Sequence, residues 1–186
     1  MELWELAARE QVRDTVATYS HSGDRLRLED LAACFTADGV LETKGGWTAH
    51  GRAEIIARLS GVQALTAATT VPGREASPGS ASGLGAEDGG PAGNGAASAG
   101  NGAASAGGGG PAAGKAFIRH FVTNLRFDSV TPDRITTSAY FAVLTVAGLD
   151  HWGRYRDILV PAEGRWLFAH RLVRTDAHAP GSPFRG

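Results

Sequence analysis

Apolar positions follow two different periods along this chain. From Leu3 to about Ser20, Leu6, Val12, Val16 and Tyr19, with Arg9 in the same series, recur at three- and four-residue steps, which predicts an amphipathic helix. Glu2 and Glu5 stand at its start, where negative charge suits the helix dipole. The polar turn Ser20-His21-Ser22-Gly23-Asp24 ends it, and a second helix is predicted from about Arg25 to Thr36. Asp38-Gly39 signals a turn before a short strand over Val40–Thr43. A third helix is predicted over about Arg52–Leu59, closed by Gly61.

Beyond residue 115 the period changes to two. The stretches 116–129, 133–147, 150–160 and 165–175 are rich in β-branched and aromatic residues. Thr131-Pro132-Asp133, Gly148-Leu149-Asp150 and Pro161-Ala162-Glu163-Gly164 separate them, so consecutive strands pair antiparallel through short turns. Helices first and a strand meander afterwards define an α+β domain, with three N-terminal helices packed on one side of a curved, mostly antiparallel sheet.

Residues 71–114 interrupt both patterns. The block holds more than half of the chain's 26 glycines, no aromatic residue, and a tandem Asn-Gly-Ala-Ala-Ser-Ala-Gly at 94–100 and 101–107. It has too little apolar surface to offset its ordering entropy, so it is expected to be a disordered insertion, a passive linker inside one domain formed by 1–70 and 115–175. Closing a longer loop adds only a logarithmic entropy cost, so the host domain tolerates it. A glycine-rich phosphate loop is excluded, because no Gly-Lys-Ser/Thr ending joins a strand to a helix. The tail, 176–186, is expected to be loose.

Composition narrows the function classes. With 42% hydrophobic and 20% charged residues and a net charge of -1, the chain has no basic stripe to bind nucleic acid. It shows no apolar run of membrane-spanning length and no secretory leader at Met1–Glu5, so a cytoplasmic location is expected. Its single cysteine, Cys34, excludes an internal disulfide and reads as a buried, inert thiol. His21 with Asp24 lacks the spacing of a metal motif, and neither metal nor cofactor is expected.

The chemistry-bearing residues are few. In Arg119-His120-Phe121-Val122-Thr123-Asn124, strand alternation puts Ile118, His120, Val122 and Asn124 on one face. His120 then has mostly small or apolar neighbours. An imidazole ordinarily titrates near pH 6.5, which suits a general base, and a carboxylate on its other nitrogen would fix its tautomer. Asp24 would be that carboxylate if the fold joins the two. Each also has a structural reading, His120 bonded to backbone and Asp24 capping the second helix. Trp47, Trp152, Tyr155 and Phe168 would line either a pocket or the core. His50, His151, His170 and His178 carry no assignment and are expected to be exposed.

Three stretches together resemble the SnoaL-like group of the nuclear transport factor 2-like superfamily. They are Tyr19-Ser20-His21-Ser22-Gly23-Asp24 with Leu31, Phe35 and Ala37-Asp38-Gly39-Val40; Arg119-His120-Phe121-Val122-Thr123-Asn124-Leu125; and Gly153-Arg154-Tyr155-Arg156-Asp157 leading to Gly164-Arg165-Trp166-Leu167-Phe168-Ala169-His170-Arg171. The resemblance covers about 3–70 and 115–175 and implies a cone-shaped α+β barrel. In function it is nearest to hexachlorocyclohexane dehydrochlorinase, scytalone dehydratase and bile-acid dehydratase. In those lyases an aspartate after the first helix pairs with a histidine on a central strand, and the histidine removes a proton.

That resemblance implies His120 as catalytic base and Asp24 as its partner. It further implies Tyr19, Arg171, Trp47, Asn124 and Tyr155 as contacts to an apolar, cyclic small molecule. It implies a cofactor-independent lyase, dehydratase or isomerase, assembled as a homodimer or homotrimer through the outer face of the sheet. The dehydratases carry a second polar residue on the following strand, whereas Phe141-Ala142-Val143-Leu144-Thr145-Val146 is apolar apart from Thr145. Proton abstraction or isomerisation therefore fits better than dehydration. A non-catalytic ligand-binding or interaction domain, and a structural partner like an oxygenase small subunit, remain open alternatives.

Overall fold

A computed structural model describes residues 2–68 and 117–182, with side chains described outside 62–68. The helices are α1 (Leu3–Asp24), α2 (Leu28–Ala32) and α3 (Gly51–Ala68), and the strands are β1 (Phe35–Thr43), β2 (Thr48–His50), β3 (Ile118–Val130), β4 (Ile135–Thr145), β5 (Gly148–Ala162) and β6 (Arg165–His178). The strands form one sheet in the order β2-β1-β6-β5-β4-β3. All neighbours pair antiparallel except β1 and β6, which run parallel. This is the α+β arrangement expected, with the helices on a mixed, mostly antiparallel curved sheet.

Several boundaries differ from the sequence reading. α1 runs on through Ser20–Asp24, so Asp24 is the last helical residue rather than part of a following turn. The chain then reverses through Leu26, whose φ of 60 is left-handed, and Arg25 and Arg27 both donate backbone N–H bonds to Ser22 O. Leu6 is 52% exposed; the buried stripe is Ala8, Val12, Thr15, Val16, Tyr19 and Ser22. α2 is a single short turn, and Phe35–Thr43 is strand, because Phe35 and Leu41 are fully or almost fully buried against β6. Gly39 therefore serves the strand's irregularity and not a turn. A Cβ there would lie 2.7 Å from Phe168 O, too close for any other residue. α3 continues past Gly61 to Ala68, and β2 is an element the sequence pattern did not reveal.

The core lies between the helices and the concave face of the sheet. Val12, Val16 and Tyr19 of α1 and Ile55 of α3 pack with Phe35, Leu41, Leu159, Trp166 and Phe168. Arg9 and Arg13 also lie over the Phe127 ring, 4.6 and 5.0 Å from its centroid, which ties α1 to β3. The insertion expected at 71–114 lies outside the described residues. The tail expected from residue 176 begins inside β6, and Ser182 is buried at 8% exposure with its hydroxyl on Asp150.

Candidate active site

The sheet register builds the site row by row. His120 (β3) faces Val143 (β4), Val143 faces His151 (β5), and His151 faces His178 (β6). One row deeper are Val122, Phe141, Gly153 and Thr175, then Ala139, Tyr155 and Val173, then Thr137, Asp157 and Arg171. Burial of Val143, Phe141, Tyr155 and Asp157 marks this as the inward face. Gly153 lets β6 pass close beside β5, because a Cβ there would collide with the Arg174 carbonyl.

Asp24 and His120, 96 residues apart, meet at the mouth of this wall. The Asp24 Oδ1 is 2.7 Å from His120 Nδ1. The same carboxylate accepts the His120 backbone N–H at 3.1 and 3.3 Å. β3 is the edge strand, so its outward N–H groups lack a strand partner, and Asp24 takes one of them. His120 is thus on an edge and not a central strand. Side-chain exposure is 22% for His120 and 9% for Asp24, enough to exchange protons and low enough to strengthen the pair. With Nδ1–H donating to the carboxylate, the neutral imidazole carries its lone pair on Nε2.

Arg171 lies at the deep end of the wall. It is fully buried, and its Nε and one Nη bond the two Asp157 oxygens, each at 2.8 Å. Its guanidinium carbon sits 4.3 Å from the Tyr19 and Tyr155 ring centroids and 4.1 Å from that of Phe168. Burial alone would lower the arginine's proton affinity; Asp157 more than offsets it and holds Arg171 above its ordinary value. Tyr19 and Tyr155 are buried phenols pushed above their ordinary range by that burial, partly opposed by the charge of Arg171. Tyr155 also stacks on Phe141 at 4.6 Å. These groups hold hydrogen-bonding protons at neutral pH, and Arg171 locks their positions.

Other residues named from the sequence lie elsewhere. Asn124 shares no face with His120: a bulge after Thr123 puts it at φ 54 and exposed, and Leu125 turns inward instead. The extra residue shifts the alternation by one, which simple period-two counting missed. Trp47 is half-buried on the β1–β2 turn and packs against the main core, its backbone tied to Thr43. Trp152 is 37% exposed on the outer face, and Phe168 is core. His21 bonds Arg25 on the outside of α1, away from Asp24's partner. Cys34 is buried, and that burial pushes its thiol up to about 11.

The exposure expected for His151 is corrected: its side chain is 13% exposed, and its Nδ1 lies 2.8 Å from Asp150 Oδ1. Counting back in twos from Tyr155 through Gly153 reaches it, a signal the sequence held. His178 stacks obliquely on it at 5.8 Å, and Phe141 lies edge-on at 5.9 Å. Among the described residues no group of three or more histidine, cysteine, aspartate or glutamate side chains is arranged to hold a metal ion. One depression, about 440 Å³, is lined by Trp4, Ala8, Gln11, Pro132, Pro161 and Trp166 among others. It lies by the first half of α1, roughly 20 Å along the helix from Asp24. No described helix is long and apolar enough to cross a membrane.

This wall, helix cover and strand order define the nuclear transport factor 2-like, cystatin-like class of α+β folds. Residues 4–72 match the model of the SnoaL-like domain. LinA superposes with a TM-score of 0.62 at 16% identity, over 99% of this chain and 97% of its own. A scytalone dehydratase-like protein from Novosphingobium aromaticivorans gives 0.59 at 18% identity, over 98% and 95%. A Catenulispora acidiphila protein in complex with S-DNPA gives 0.57 at 25% identity, over 92% and 95%. No curated protein matches the sequence.

Proposed function

We propose that the protein is a cofactor-independent lyase or isomerase that abstracts a proton from an apolar, cyclic small molecule. The observation that carries this is the Asp24–His120 pair, closed at 2.7 Å at the rim of an apolar wall of Val122, Phe141 and Val143. His120 Nε2 is the base. Asp24 fixes the tautomer and stabilises the imidazolium once formed. Tyr19 and Tyr155, with Arg171 behind them, are the groups to receive charge on a substrate oxygen. Neighbours of the same fold that are described as a scytalone dehydratase-like protein or as holding S-DNPA support small-molecule chemistry over a purely structural role.

Deuterium exchange at C2 of cyclohexanone in D2O tests the base alone. The protein is expected to accelerate it, and His120→Gln to reduce the acceleration about 10²-fold or more while remaining folded. Equal exchange by both would remove His120 from the mechanism.

Assembly as a homodimer or homotrimer belongs to the same reading. On the outer face Phe121, Ala142 and Trp152 form one row, beside Tyr140, and the three large side chains are 52%, 37% and 54% exposed for Phe121, Trp152 and Tyr140. A second copy is the occupant proposed for this patch. Sedimentation of the Phe121→Arg/Trp152→Arg variant as a monomer, against a larger wild-type species, is the expected result; a monomeric wild type would refute it.

A further inference from the structure

We infer that Arg25 and Arg119, gathered at the C-terminal end of α1, form a carboxylate-binding rim beside the Asp24–His120 pair, so that the substrate is an apolar ring bearing a carboxylate. The inference rests on the His120 base reading and deepens it by naming the substrate class. Arg119 precedes His120 on β3, and its Nη1 lies 3.5 Å from the Asp24 carbonyl oxygen and 2.7 Å from that of Ile118. Arg25 directly follows Asp24, and its Nη1 lies 3.3 Å from the His21 carbonyl oxygen and 3.0 Å from His21 Nδ1. On α1 the His21 and Asp24 carbonyls are separated by about 4.5 Å of rise, so both guanidiniums meet the same helix end.

Capping the helix accounts for only part of this arrangement. Cations suit a helix C-terminus, and each arginine uses its Nη1 there. A carboxylate is met best by two parallel N–H bonds from one edge of the guanidinium fork. Among the described residues Nε and Nη2 of Arg25 and Arg119 meet no protein acceptor, and neither arginine is paired with a carboxylate. Arg27, in the same turn, differs: it has Asp30 at 3.4 Å. The Phe117 ring centroid lies 5.7 Å from the Arg119 guanidinium carbon, and the residue is 45% exposed. That ring steadies the arginine and sets apolar surface beside it.

Distance and charge set the pose. The path from Arg119 Nη1 to His120 Nε2 runs through Asp24, whose carboxylate holds His120 Nδ1 at 2.7 Å, and with ordinary covalent geometry it spans no more than about 13 Å. A cyclohexanone with a carboxylate across the ring, bonded to the guanidinium while its C–H meets the base, needs about 11 Å. The Asp24 carboxylate faces β3, where it accepts the His120 backbone N–H and Nδ1–H. Lying against the base, it repels a substrate that enters with its carboxylate towards His120. The anionic end therefore goes to the arginines and the ketone end to the imidazole. With its side chain 22% exposed, His120 is within reach of a substrate held at this rim.

Deuterium exchange beside the ketone of 4-oxocyclohexanecarboxylate, compared with its methyl ester, tests the rim. The wild type should favour the carboxylate in kcat/KM by about tenfold, through KM. That preference should vanish in the Arg25→Gln/Arg119→Gln variant and, without any variant, on raising NaCl from about 50 mM to 1 M. Equal kcat/KM for acid and ester in the wild type, or a preference that survives both substitutions, would overturn the rim and leave the base intact. Binding separates the two readings. Cyclohexanecarboxylate titrated into His120→Gln should still bind, and should bind about tenfold more weakly once Arg25 and Arg119 are also replaced by Gln. That result with no exchange of either ketone by the wild type would remove the base and keep the rim; no difference in binding would overturn the rim.

Discussion

Two acid–base pairs sit on the same inward face, and they do opposite things. Asp157–Arg171 is wholly buried, bidentate and enclosed by three aromatic rings. Asp24–His120 is partly exposed and joined through an imidazole, a ring that can carry its proton on either nitrogen. An arginine cannot give up its proton here, since Asp157 reinforces its charge. Geometry of nearly equal quality thus yields an anchor at one end of the wall and a chemical group at the other. Depth and the choice of cation make the difference.

The largest effect expected is therefore structural. Arg171→Met removes both strong hydrogen bonds to Asp157 at 0% side-chain exposure and leaves it only the Thr137 hydroxyl at 3.4 Å, which should cost about 3–5 kcal/mol in urea unfolding. Adding Asp157→Leu should restore much of it; a mild effect of the single change would show that the pair is not an anchor. In the other pair, Asp24→Asn should reduce exchange at least tenfold while costing only about 1–2 kcal/mol of stability, the scale of lost hydrogen bonds. A stability loss matching that of Arg171→Met would erase the contrast between the two pairs.

Acid should probe the second imidazole. Burial depresses the folded-state value of His151, so the unfolded chain binds its proton first as pH falls below about 6.5. The stability it contributes is present above that pH and declines as pH drops through the lowered value. Urea midpoints between pH 7 and 5 should fall less in His151→Gln than in the wild type, and identical slopes would remove His151 as the cause. Smallest of all, Asn124→Ala should lose about 1 kcal/mol, because its φ of 54 tolerates Asn better than Ala. Asn124→Gly should be near neutral.

The same contrast explains what the sequence disclosed. The four strands after residue 115, the order of helices before strands, and the candidate pair of Asp24 and His120 were legible because periodicity and a motif resemblance mark them. The hydrogen bond between them was not, since it spans 96 residues and depends on α1 running four residues beyond its apparent polar stop. Arg171 looked like a substrate contact because motif position says nothing about Asp157 occupying its fork. His151 escaped notice because its partner row is written in sheet register, which a bulge on either side offsets. Asn124 shows the same effect in reverse.

Ring-nitrogen NMR of the 15N-labelled protein across pH 5–8 tests the central claim most directly. The account predicts a neutral His120 protonated on Nδ1, converting reversibly to the imidazolium in the folded state, while the Arg171 Nε–H signal stays fixed and slow to exchange. A neutral His120 protonated on Nε2, or a ring that does not titrate while the protein remains folded, would contradict it.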